Sequence, residues 1–173
     1  MNIKISLFFF ALFSAFSAYA VQITDMANKT VDIPAHTERV FASAPPATML
    51  IYVLAPQKLV AANIPVKSKY FTSDLRYLEP NFVSLPVVGG WHGSVKGANM
   101  EALLALKPQL VLGWKNDFVM KQVEDAFKKF AIPVVFVAED GVEDEPSALR
   151  FVGKTLGVES RGELLARDAS TRI

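Results

Sequence analysis

The chain has 173 residues, 18 basic against 17 acidic side chains, and no cysteine. Balanced charge argues against a nucleic-acid binder, which normally carries a basic excess. Without thiols there are no disulfides, no cysteine nucleophile and no lipid anchor on cysteine, so stability rests on an apolar core.

The amino terminus reads as a secretory signal peptide over residues 1–20. Lys4 supplies the basic start, Ile5 to Phe16 the apolar core, and Ala18-Tyr19-Ala20 a small-x-small cleavage site. The apolar run is shorter than the roughly 20 residues a spanning helix needs. Cleavage after Ala20 predicts an exported chain beginning at Val21, with about 150 residues, enough for one domain. Val21–Thr24 and Thr30–Ile33 read as a hairpin around Asp25–Lys29. Arg39–Ala42 is a short strand, and Ala47–Leu54 a helix whose start tolerates Pro45 and Pro46. Lys58–Ala62 and Leu85–Val88 read as strands, with an irregular aromatic stretch from Val66 to Phe82 between them. Asn99 caps a helix from Met100 to Leu106, which Pro108 stops. Leu110–Gly113 is a buried strand. The next helix is capped by Asn116 or Asp117 and runs to Phe130, with Val119, Val123 and Phe127 on one face. Pro133–Val137 is another apolar strand, followed by helices over about Glu145–Leu156 and Glu159–Arg172.

This alternation predicts an α/β fold, a parallel β-sheet flanked by helices and preceded by a small β-hairpin. Ligands of such sheets bind at loops beyond the carboxyl ends of the strands. The loops there are Ser43–Pro46, Ala62–Phe71, Gly89–Ala98 and Trp114–Phe118. No nucleophile elbow, phosphate loop or paired metal-binding histidines occur, so the chain reads as a non-enzyme. His36 and His92 are the only histidines, too few for a three-histidine cage, and no metal site or cofactor is expected.

Val87-Val88-Gly89-Gly90, followed by the run Asn99-Met100-Glu101 to Leu106-Lys107-Pro108-Gln109-Leu110-Val111, resembles the amino-terminal lobe of periplasmic substrate-binding proteins of ABC importers. The subclass captures iron-siderophore, haem and cobalamin. Gln109 stands where the family usually has Asp. The resemblance implies one lobe of a two-lobed protein: residues 21–158 as the lobe and 159–173 as the start of an interlobe helix, with the second lobe absent. It implies a periplasmic monomer whose partners are a metal chelate and an inner-membrane permease. A truncated, non-functional lobe and a chelatase-like enzyme on the same sheet stand as alternatives.

For Trp114, ligand stacking and packing under its own loop are both open; the resemblance favours stacking. Trp91 is a second stacking candidate, and His92 beside it ligates a metal, donates to a ligand or is a solvated loop residue. By resemblance Tyr70 is a third aromatic, with Lys67 and Lys69 beside it. Lys115 reads as an anion attractor or a surface lysine, and Ser43 as a polar ligand contact. Glu101 in the first turn of its helix complements the dipole; the resemblance adds docking to permease arginines.

Overall fold

The computed structural model describes residues 20–66, 75–93 and 95–173. The segment expected to be a signal peptide, apart from Ala20, and Tyr70 with its neighbouring lysines lie outside the described residues.

The chain opens on an antiparallel hairpin, β1 (Ala20–Thr24) and β2 (Thr30–Pro34). Its turn is built around Asp25, which is buried. One carboxylate oxygen accepts the backbone N–H groups of Ala27 and Lys29, at 2.9 and 2.8 Å. Asn28 takes the left-handed backbone such a turn requires, at φ 61°.

β3 (Val40–Ala42) then enters the interior and leads into α1 (Pro45–Leu54). The two prolines occupy the first helical positions, where no N–H partner is needed. A short 3₁₀ turn (Pro56–Lys58), another (Leu75–Tyr77) and the one-turn α2 (Pro80–Val83) follow. Next come β4 (Gly89–His92), β5 (Val95–Ala98) and α3 (Met100–Ala105). Asn99 caps α3 as expected, its side chain accepting from Ala102 N–H at 3.1 Å. β6 (Leu110–Trp114), α4 (Met120–Lys128), β7 (Val134–Val137), α5 (Glu145–Thr155) and α6 (Glu159–Ser170) complete the order.

The central sheet is parallel, in the order β3-β6-β7. Its side chains alternate cleanly between faces. Val40, Ala42, Leu110, Leu112, Val135 and Val137 pack with α1 and α5. Phe41, Val111 and Phe136 pack on the other face with Leu103 of α3 and with Val123 and Phe127 of α4. A sheet covered on both faces explains why its strands are almost wholly apolar. Gly113 has no side chain because a Cβ there would lie 2.5 Å from the Phe136 ring. α6 packs on α5 through another close approach: a Cβ on Gly162 would meet Leu149 O at 2.8 Å.

Three expectations need correction. Lys58–Ala62 and Leu85–Val88 are not strands; each contributes isolated bridges, Val40 to Leu59 and Ala62 to Val87. Pro56 and Pro65 remove ladder donors on either side of the first segment, and Pro86 removes one within the second. The Gly89–Ala98 loop is instead the hairpin β4–β5. Finally, α4 starts at Met120 rather than beside Asn116, whose side chain holds the preceding turn by accepting from Phe118 N–H at 3.0 Å.

Candidate functional site

The carboxyl ends of β3 and β6 meet at Ser43 and Trp114. Ser43 Oγ accepts the Trp114 backbone N–H at 3.1 Å. The Ser43 N–H donates to Leu112 O at 2.9 Å, and its carbonyl accepts Trp91 N–H at 2.8 Å. One residue therefore ties β3, β6 and β4 together. It is only 1% exposed, so its expected role as a ligand contact gives way to that of a buried clasp.

Asn63, which nothing in its sequence surroundings marked, completes this clasp. Its side-chain amide donates to Ala42 O at 2.9 Å and to Gly89 O at 3.1 Å, and its carbonyl accepts from Thr48 Oγ1 of α1. Gly90 is needed beneath it: a Cβ would lie 2.5 Å from Ser43 O and 2.6 Å from the Asn63 amide nitrogen. The strand ends are thus fixed by fully engaged polar groups, which suits a surface that holds a ligand in one geometry.

Trp91 does not face the ligand edge. Strand alternation turns its indole into the second core cluster, 5.9 Å from the Phe127 ring, and leaves it 6% exposed. Gly97 on β5 passes under this ring, 3.8 Å away where a Cβ would stand. His92, next on β4, points the other way and is half-buried, with Nδ1 buried and unpartnered. Among the described residues no three His, Asp or Glu side chains are placed to hold a metal ion.

Trp114 continues the face of Leu110 and Leu112, half-buried at the end of β6. Lys115 is exposed, its backbone N–H paired to Val137 O at 2.8 Å. Phe118 follows on the same turn and is 89% exposed. Its backbone is held at both ends, by Asn116 Oδ1 and by the Gln122 amide on its carbonyl. An aromatic ring displayed on a braced turn at this edge is a candidate ligand contact; its signal in the sequence was Phe118 following a strand-end Trp by four residues. At the end of β7, burial and then the charges of Glu145 and Asp144 push the Glu139 carboxyl up. Glu101 is exposed and has no ion pair among the described residues. The carboxyl end of α3 meets Arg39, just before β3, whose Nε donates to Leu106 O at 2.8 Å. α3 therefore runs back toward the amino edge of the sheet, and Glu101 lies toward the carboxyl edge with Trp114.

Comparison with models of known protein families finds no match. Two vitamin B12-binding proteins, from Pectobacterium atrosepticum and Pectobacterium carotovorum, are 28% and 30% identical over 137 residues. An ABC transporter solute-binding protein from Sulfurospirillum deleyianum is 31% identical, with a TM-score of 0.76 over 84% of this chain. The fold also matches Staphylococcus aureus SirA complexed with staphyloferrin B, at 23% identity, a TM-score of 0.61 and 86% of this chain. The chain spans less than half of each: 44% of the two B12-binding proteins, 45% of the Sulfurospirillum protein and 46% of SirA. By sequence and fold it matches one lobe of a periplasmic solute-binding protein.

Proposed function

From that match to a single lobe, we propose that the chain forms the amino-terminal half of the ligand cleft in a binding protein for a metal chelate. The chelate is a ferric siderophore, haem, cobalamin or a similar compound, and an ABC permease receives it. The observation that carries this reading is the braced turn after β6, which sets Trp114 and Phe118 at the carboxyl edge of the sheet. Edge aromatics can cover a flat or macrocyclic ligand, while the clasp of Ser43 and Asn63 keeps the strand ends from shifting. The work is binding, without covalent chemistry, and the relatives named above are binding proteins. Residues 21–158 are the lobe, residues 159–173 lead toward a second lobe, and the mature protein acts as a monomer in the periplasm after loss of residues 1–20.

The direct test is titration of haemin, cyanocobalamin and ferric siderophores against this chain joined to a second lobe. Replacing Trp114 by Ala should weaken binding by roughly 1–3 kcal/mol if its ring desolvates ligand surface. Unchanged affinity for every chelate in the Trp114→Ala/Phe118→Ala double variant would refute the site. Glu101 is proposed as the permease contact, because it is a solvent-facing carboxylate near the same edge with no internal partner among the described residues. Glu101→Lys should leave chelate affinity intact and depress uptake, most strongly at low salt. Normal uptake at normal protein level would exclude it. Intact-mass measurement of periplasmic protein should give an amino terminus at Val21; a retained leader would overturn the export assignment.

A further inference from the structure

On the flank of α1 the lobe holds a cleft of about 560 Å³ that neither Trp114 nor Phe118 lines. Met49 and Tyr52 of α1 form one wall, Ile64 and Val66 another, and Leu78 and Phe82 a third. The Tyr52 and Phe82 rings stand 4.5 Å apart, so one corner is aromatic. α1 springs from the carboxyl end of β3. Residues 63–66 follow a segment that runs parallel beside β3 through the bridge of Leu59 to Val40, and that pairs at its end with Val87 through Ala62. Both walls therefore begin at the edge of the sheet that carries Trp114.

The polar groups of the described lining residues are nearly all spent on the protein itself. Thr48 Oγ1 donates to Asn63, Asn63 donates to Ala42 O and Gly89 O, and Tyr52 Oη accepts Glu79 N–H at 3.2 Å. The Tyr77 phenol is the one further polar side chain among the described lining residues, and none of them carries a charge. A carboxylate or oxyanion entering here would lose its hydration and find no charged partner among the described lining residues. A ring or alkyl arm would lose only unfavourable contact with water. The volume lies within the range of small-ligand sites, roughly 300–1,000 Å³.

We infer that this cleft is a subsite for a neutral, apolar moiety of the ligand, an aromatic ring or alkyl arm carried by the chelate. The inference rests on the binding function proposed above and narrows it. A ligand built only of carboxylates around its metal leaves the cleft unused; a ligand with an apolar flank fills it.

The probe is N-phenyl-1-naphthylamine, a neutral dye that brightens in apolar surroundings, titrated against the chain. Two variants place a charge at the mouth: Met49→Glu, at a side chain 50% exposed, and Ile64→Asp, at one 37% exposed. Saturable dye binding is expected in the parent chain, with affinity reduced at least about tenfold in either variant. Thermal midpoints should stay close to the parent's. Haemin or cyanocobalamin should displace the dye, and ferric citrate should not. Absence of saturable dye binding, equal dye affinity in both variants, or displacement by ferric citrate as effective as by haemin would overturn the inference. The same variants joined to a second lobe separate it from the broader reading. Chelate affinity unchanged by Met49→Glu and Ile64→Asp sinks the subsite and leaves chelate binding standing. Failure of every chelate to bind, with dye binding still lost in the variants, sinks chelate binding and leaves an apolar-ligand cleft.

Discussion

Replacing Asn63 by Ala should be among the more damaging single changes in the lobe. The side chain is 4% exposed and makes three hydrogen bonds that water cannot readily replace. At about 0.5–1.5 kcal/mol net for each bond, with an added cost for carbonyls left buried and short of a donor, the loss is about 2–4 kcal/mol. Thr48→Ala removes one of the three and should cost about 1 kcal/mol. Because the two side chains touch, the double variant should lose less than the sum, by about 0.5–1.5 kcal/mol. Urea unfolding followed by tryptophan fluorescence measures all three. With a slope of about 1–3 kcal/mol per M, the Asn63→Ala midpoint should fall by roughly 1–2 M. Asn63→Asp is a sharper probe, since a carboxylate would face the Ala42 and Gly89 carbonyls with no proton to offer; it should be no better than Ala. A loss below about 0.5 kcal/mol for Asn63→Ala, or strict additivity with Thr48→Ala, would refute the clasp.

Gly113→Ala should destabilise by about 1–3 kcal/mol, because its methyl lands on the Phe136 ring, and Phe136→Leu should recover part of that loss. An additive double variant in the same urea assay would count against this contact. Ala131 holds a left-handed backbone at φ 53° just past α4, so Ala131→Gly should raise stability by about 0.5–1 kcal/mol; a fall would show that the turn does not bear that strain. Hydrogen bonds from Arg150 and then Arg167 draw the Glu163 carboxyl down from its ordinary 4.5 to about 2. A lowered folded value stabilises fully above pH 4.5 and fades as pH falls through about 2. Circular dichroism across that window should therefore show a steeper acid loss for the parent than for Glu163→Gln, and parallel curves would remove the pair from the stability of α5 and α6.

Elements with strong periodicity were legible. The Val119, Val123 and Phe127 stripe, the Asn99 cap and the apolar strands all follow from local pattern, and they fix the parallel sheet. The β4–β5 hairpin was hidden because Gly89, Gly90, Gly93 and Gly97 read as loop. In the structure Gly90 and Gly97 are strand glycines; the absent side chain of Gly90 makes room for the Asn63 amide, and Gly97 lies in ordinary contact under the Trp91 ring. The same misreading put Trp91 at the ligand edge, since a loop has no alternation to turn its side chain inward. Ser43 was placed correctly at the strand end, but its burial depends on partners 48 and 71 positions along the chain, which no local window contains. Asn63 was invisible for the same reason. Trp114 remains where the strand end predicted it.

The turn around Asp25 also governs when this lobe can finish folding. The second Asp25 carboxylate oxygen accepts Phe136 N–H at 3.0 Å, across 111 positions of chain, and Met26 N–H donates to Phe136 O at 3.0 Å. Lys29 reaches Glu124 across 95 positions. The outer rim of β7 is thereby sealed by the first described residues, and no open strand edge is left at Phe136 to recruit another molecule. A growing chain gains that seal only after most of its length exists. Closure of so long a loop carries an entropic cost that local contacts do not. The earliest described part of the polypeptide is thus joined by these bonds to its last strand, so a break at either end of the chain would be felt at the other.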